Sequence, residues 1–104
     1  RVLEVASVPH EDETLDVFVN GNIILRQARR GYRVTVDSIL LAQFIRKSGG
    51  LLSFRGVVDL GTGSGILPIL LCHGHKIQNM CGIERQHSLA SRARLNFALN
   101  GTER

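Results

Sequence analysis

The segment Asp59-Leu60-Gly61-Thr62-Gly63-Ser64-Gly65 lies between the apolar pair Val57-Val58 and the apolar run Ile66-Leu67-Pro68-Ile69-Leu70-Leu71. That order predicts a strand, a glycine-rich turn and a helix. Glycines at alternate positions let the backbone turn with positive φ, and they let a ligand lie against bare main chain where a Cβ would collide with it. A nucleotide-like ligand is therefore the first expectation. The spacing is G-x-G-x-G with an acid two residues ahead, whereas the dinucleotide fingerprint is G-x-G-x-x-G. Ile66 stands where its third glycine would be.

The rest of the downstream half supports an α/β unit. Residues 57–60 read as the first parallel strand and 66–73 as the crossover helix, with Pro68 in its first turn, where a missing N–H costs little. Gly74 is expected to end that helix. Residues 79–83 read as a second strand ending at Glu84. Ser88 is the expected cap of a helix running to about Asn100, with Leu89, Ala93 and Phe97 at four-residue spacing and Gly101 just beyond its end. Arg92, Asn96 and Asn100 would then share a wetter face. A β-α-β order fixes a right-handed crossover and parallel strands.

Upstream, alternating apolar residues on either side of Asn20-Gly21 predict a β-hairpin over residues 15–26, because that dipeptide suits a type I′ turn. Gln27 to Gly31 reads as a polar, basic loop. A short, strongly apolar helix is expected over 37–48, with Asp37 or Ser38 as its N-cap, Arg46 and Lys47 at its negative end, and Gly49-Gly50 as its stop. Its composition suggests that it packs on a sheet face.

At 104 residues the chain is at most one small domain. With 43% apolar and 21% charged residues, it is not a disordered tail. It has neither the roughly 18 consecutive apolar residues of a membrane span nor a signal peptide, so a cytoplasmic location with no membrane partner is expected. The net charge of +4, with Arg26, Arg29, Arg30 and Arg33 close together, permits nucleic-acid contact. Cys72 and Cys81 lack C-x-x-C spacing and read as reduced, mostly buried thiols. Cys72-His73-Gly74-His75 has no second ligand pair at zinc-finger spacing, so no metal site is assigned.

Asp59 ends the first strand, where open α/β sheets bind their ligands. It serves either a ligand or, as a turn carboxylate, the loop amides. Gly61, Gly63 and Gly65 offer main-chain approach, and Thr62 and Ser64 offer hydroxyls. Glu84 follows the glycine turn by about 20 residues, the position at which a carboxylate accepts from ribose hydroxyls. A surface glutamate at a strand end is the plainer reading of the same residue.

With an acid leading the turn, residues 59–65 resemble motif I of the class I S-adenosylmethionine-dependent methyltransferases. Gly31-Tyr32-Arg33-Val34-Thr35-Val36-Asp37-Ser38-Ile39-Leu40-Leu41-Ala42 is similar to the segment before motif I in the bacterial adenine-N6 methyltransferases that act on tRNA. Asn96 to Gly101 resembles the end of their helix after motif II. The resemblance runs from about Val17 to Gly101. It implies a partial Rossmann-like methyltransferase fold in which hairpin and helix precede the β-α-β-α cofactor half. The implied cofactor is S-adenosyl-L-methionine, with Asp59 on its methionine end and Gly61, Thr62, Gly63, Gly65 and Glu84 around it. Tyr32 and Asp37 would lie near the methionine or the substrate mouth, or serve as core aromatic and helix cap.

The family's Asn-Pro-Pro-Tyr motif has no counterpart here, since the two prolines are Pro9 and Pro68. The resemblance therefore covers the N-terminal half of such a domain, with cofactor residues and no catalytic ones, and implies a chain inactive alone. The fourth strand that would flank residues 57–60 is missing too, so an unpaired edge, an apolar surface and self-association are expected there. The implied parent methylates N6 of adenine in tRNA, while relatives with the same front half act on rRNA guanine or protein glutamine. An NAD-type dinucleotide-binding domain and a noncatalytic scaffold module are the readings from other classes.

Overall fold

The computed structural model describes residues 9–31, 33–49, 56–73, 77 and 79–101. In chain order the elements are β1 (Glu13–Phe18), β2 (Ile23–Ala28), α1 (Val36–Lys47), β3 (Val57–Leu60), α2 (Ile66–Cys72), β4 (Met80–Ile83) and α3 (His87–Leu99). β1 and β2 form an antiparallel hairpin, and β3 and β4 form a separate parallel pair. Among the described residues the chain is thus a small α/β arrangement with a two-stranded parallel sheet and three helices.

The hairpin is longer than its apolar alternation suggests, pairing Glu13 with Ala28 at one end and Phe18 with Ile23 at the other. Gln27 and Ala28 are strand and not loop. Gln27 is buried because its side chain is fully used: Nε2 donates to Asp16 at 2.8 Å and Oε1 accepts the Val34 amide at 2.7 Å. At the tip, the Asn22 amide donates to Val19 O at 3.0 Å around Asn20 (φ 51°) and Gly21 (φ 90°), as a type I′ turn requires. Val19 also has φ 53°, a left-handed conformation that a β-branched residue adopts only at a cost.

α1 begins at Val36, so the N-cap position falls on Thr35, and Asp37 and Ser38 lie inside the first turn. Asp37 still places its charge at the positive end of the helix dipole, with Arg46 and Lys47 at the other end. The helix packs against α2 and not against a sheet. Only Ala42 is fully buried, and Val36, Leu40, Leu41 and Phe44 remain exposed. Arg46 donates to the carbonyls of Leu70 and His73, satisfying the end of α2.

α2 is the centre of the core. At seven residues it is too short to hold as a helix alone, and packing supplies what propensity cannot. Ile66, Ile69, Leu70 and Leu71 are buried with Ile23 and Leu25 of β2, Ala42 of α1 and Ile77. Each such aliphatic side chain contributes roughly 1.5–3 kcal/mol when taken out of water.

Residues alternate cleanly along the parallel pair. Val57, Asp59, Met80 and Gly82 are half-buried, while Val58, Leu60, Cys81 and Ile83 face solvent. Parallel sheets normally have both faces covered. Here Leu60 is 77% exposed, Val58 58% and Ile83 51%, and β3 has β4 as its single strand partner among the described residues. The apolar surface expected at 57–60 is present, and among the described residues no strand pairs with the edge of β3 away from β4. Cys72 is half-buried and Cys81 exposed, both as free thiols, so the expectation that both are mostly buried fails at Cys81.

α3 starts at His87 with Gln86 as its N-cap, two residues before the helix that Ser88 was expected to cap. Gly101, at φ 68°, ends it as expected, its amide donating to Ala98 O. The face bearing Arg92, Asn96 and Asn100 is not the wet one. Asn96 is completely buried, because this face meets β2. Asn100 Oδ1 accepts the Ile24 amide at 3.0 Å and its Nδ2 donates to Ile24 O at 2.7 Å. Asn96 does the same for Arg26, at 2.8 and 3.1 Å. Two amide side chains thus pair with the edge of β2 as a third strand would.

Arg92 closes the same contact. Its Nε donates to Glu13 Oε2 at 2.5 Å, while Arg26 donates to Oε1 at 2.6 Å and the His10 amide at 2.9 Å. Burial pushes the Glu13 carboxyl up, but the donors from Arg92, Arg26 and His10 outweigh it and lower it to about 2. Gly50 and Gly74, expected to stop two helices, lie outside the described residues.

Candidate functional site

The strand β3 delivers the chain to a loop in which Gly61, Gly63 and Gly65 all have positive φ, at 73°, 61° and 91°. All three therefore use the freedom that glycine supplies. The loop hangs from the tip of β4: the amides of Gly61 and Thr62 both donate to Ile83 O, at 2.8 and 2.9 Å, and the Gly65 amide turns back to Thr62 O at 2.9 Å.

Glu84 completes this attachment. Its Oε1 accepts the Gly63 amide at 2.9 Å and its Oε2 accepts the Gln86 amide at 2.8 Å. The amides of Gln86 and Gly63 hold its carboxyl below the usual carboxylate range. The role of a turn carboxylate, considered above for Asp59, thus belongs to Glu84. An ionised carboxylate has about four acceptor positions, and the neighbouring backbone amides do not fill them all.

A cavity of about 410 Å³ opens beside this cluster, lined by Thr62, Gly82, Ile83 and Glu84 on one side and Ala90, Ala93, Arg94 and Phe97 of α3 on the other. The volume lies within the range of small-molecule sites. Thr62 Oγ1 is buried and has no hydrogen-bond partner among the described residues, which is unusual for a buried hydroxyl. Gly82 is required beneath it, since a Cβ there would come within 2.8 Å of the Thr62 side chain. Gly65 is packed in the same way, with 2.7 Å from a Cβ to the Phe97 ring, whereas Gly61 has open space before it. Bare backbone at Gly61 is therefore free for approach.

The structure brings Gly61, Thr62, Gly63, Gly65 and Glu84 into one cluster. Asp59 is close by, in register with Gly82 on the half-buried side of the sheet, but it does not line the cavity. Its carboxylate makes no hydrogen bond or ion pair among the described residues. Asp37 is exposed in the first turn of α1 and is not among the residues of this cavity. Tyr32 lies outside the described residues. Sequence reasoning missed Arg94 and Phe97, and also Gly82, although a glycine inside a strand signals close approach.

The basic cluster is smaller than the sequence suggests. Arg26 is buried against Glu13, and Arg33 donates to Asp16 at 2.9 Å and to Thr14 at 3.1 Å. Arg29 and Arg30 stay exposed, with Arg29 Nε donating to Glu11 O at 3.1 Å. Among the described residues no three His, Cys, Asp or Glu side chains are placed to hold a metal, and no helix is long and apolar enough to cross a membrane.

The cluster offers one partly used carboxylate, an unpartnered hydroxyl and an apolar wall. That set suits holding a neutral diol and a flat ring. No family model matches the chain, and a search of curated proteins gives no match.

Proposed function

We propose that this chain is the cofactor-binding portion of an S-adenosylmethionine-dependent methyltransferase acting on a nucleic-acid base, N6 of adenine in tRNA by the resemblance of residues 31–42 and 96–101. One observation carries the reading: Glu84, at the tip of β4, reaches the positive-φ glycine loop at the tip of β3, beside a cavity with an unpartnered threonine hydroxyl.

The residues fit the nucleoside end of the cofactor. Glu84 accepts from the ribose hydroxyls with its remaining acceptor capacity, Thr62 Oγ1 supplies a further polar contact, and Phe97 with Ala93 and Ala90 offers a surface for the base. Asp59 and the open backbone at Gly61 serve the methionine end, outside the cavity walls. The bound cofactor supplies an electrophilic methyl group. The residues of this chain bind and orient it, and methyl transfer from a sulfonium depends on positioning and electrostatics more than on a base. Arg29 and Arg30 are the exposed cations available to an RNA backbone.

Titration calorimetry and thermal shift with S-adenosylhomocysteine, run beside NAD, test the reading. Stabilisation by S-adenosylhomocysteine alone is expected. Stabilisation by NAD alone would replace it with a dinucleotide-binding domain, and silence with both at millimolar ligand would leave a noncatalytic scaffold.

A further inference from the structure

The Asn96 side chain makes three hydrogen bonds and has no exposed surface, and only two of the bonds belong to the hairpin. The third runs from Nδ2 to the carbonyl of Ser64, at 2.8 Å. Ser64 sits between Gly63 and Gly65, so this one side chain touches the backbone of β2 and the backbone of the glycine loop at once. Asn100, one turn later, is an internal control supplied by the fold. It makes the same paired bonds to Ile24 of β2, but its remaining donor bond goes to Asn96 O within its own helix.

From this difference we propose that Asn96 is a positioning residue for the glycine loop, fixing the Ser64–Gly65 peptide and with it the direction of the Gly65 amide, so that hairpin and loop order as one unit. The physical reason lies in the loop itself. Three residues with positive φ leave it many alternative paths, and peptide planes flanked by glycine rotate at little steric cost. Ile83 O holds the Gly61 and Thr62 amides, Glu84 holds the Gly63 amide and Thr62 O accepts from Gly65, while the Ser64 carbonyl is held by Asn96. A buried carbonyl without a partner is costly, so the loop has one favoured path while Asn96 is present and several without it. The inference deepens the reading above, in which this loop approaches the cofactor, but the ordering itself does not require a ligand.

The test compares Asn96→Ser and Asn96→Ala with Asn100→Ser and Asn100→Ala in the full chain, using amide hydrogen exchange by NMR. The Asn96 variants are expected to speed exchange of Gly65 by about tenfold or more relative to β3 and β4, while the Asn100 variants change Ile24 and leave the loop as it was. Equal loop exchange in the two pairs overturns the proposal. Should the Asn96 variants not fold, native-state exchange of the unmodified chain in low denaturant decides instead. The Arg26 and Gly65 amides are expected to open in a single step, and independent, easier opening of Gly65 overturns the coupling.

A second arm measures S-adenosylhomocysteine affinity at a temperature where all variants are folded. A loss of about tenfold for Asn96 variants against little change for Asn100 variants is expected. If the unmodified chain itself fails to bind, the functional reading falls while the exchange result still stands or falls by its own outcome.

Discussion

The Glu84 carboxylate accepts the amide of Gly63 at 2.9 Å across the gap between the two parallel strands, so the residue that ends β4 shapes the turn that ends β3. A ligand that takes up the remaining lone pairs of Glu84 therefore also stiffens the loop. Glu84→Gln keeps one acceptor oxygen but loses the charge, and Glu84→Ala loses both. Calorimetry with S-adenosylhomocysteine is expected to show at least about a tenfold weaker affinity for Glu84→Ala, with Glu84→Gln between it and the unmodified chain. Unchanged affinity in Glu84→Ala would remove Glu84 from the binding site.

Acid should loosen the hairpin through Glu13. Its carboxyl has an ordinary value of 4.5 and is lowered to about 2 in the folded chain. A depressed carboxyl contributes stability that is present above pH 4.5 and is lost as pH falls toward about 2, where the folded state also takes up the proton. Asp16, lowered in the same direction despite burial by its bonds to Thr14, Gln27 and Arg33, adds to the trend. Urea midpoints should hold steady with respect to these groups near neutrality and fall steeply below about pH 4.5. A midpoint equally high at about pH 3 would contradict this assignment. Glu13→Gln, which leaves Arg92 and Arg26 facing a neutral partner, should cost about 3–5 kcal/mol.

Gly65 and Gly61 share a left-handed backbone but not their surroundings. Gly61→Ala meets nothing within 4 Å and should cost only the conformational strain, about 1–2 kcal/mol. Gly65→Ala also drives a methyl against the Phe97 ring and should cost about 2–4 kcal/mol. Chemical denaturation of both variants checks the order. Equal losses would mean that Phe97 yields without penalty.

Val19 is the one position where a local substitution should improve the chain. Asn tolerates φ near 53° far better than a β-branched residue does, and Val19 is already exposed. Val19→Asn is expected to raise stability by about 1 kcal/mol, visible as a higher Tm. A lower Tm would show that the side chain matters more at that turn than its backbone does.

The open face of the parallel pair predicts association between copies. Val58, Leu60 and Ile83 form an apolar surface next to a strand edge without a partner among the described residues. Sedimentation velocity should show concentration-dependent oligomers, and Leu60→Lys should shift them toward monomer. A strictly monomeric species across the accessible range would speak against this.

Much of the fold could be read from local signals. Asn20-Gly21 gave the turn, the alternating glycines gave the positive-φ loop, and Gly101 marked the end of α3, because each feature is decided by a residue's own backbone preferences. The failures involve partners distant in sequence. Asn96 and Arg92 looked like the solvent face of a helix, since nothing near them announces that β2 and Glu13 will meet that face, 70 and 79 residues away. Arg26 looked like part of a basic patch for the same reason. At the site, Glu84 and the glycines were legible from spacing. The second wall of the cavity, Arg94 and Phe97, follows only from how α3 docks.

The pairing of β2 with side chains of α3 also bears on how the molecule is made. One edge of the first strand pair stays unfinished until a helix 70 or more residues further along has emerged and coiled. Synthesis from the N-terminus therefore leaves the outer edge of β2 at Ile24 and Arg26 to water until residues 96–100 follow, and refolding must close a long loop before that edge is rewarded. The slow step in building this protein is expected to be the arrival of two asparagines.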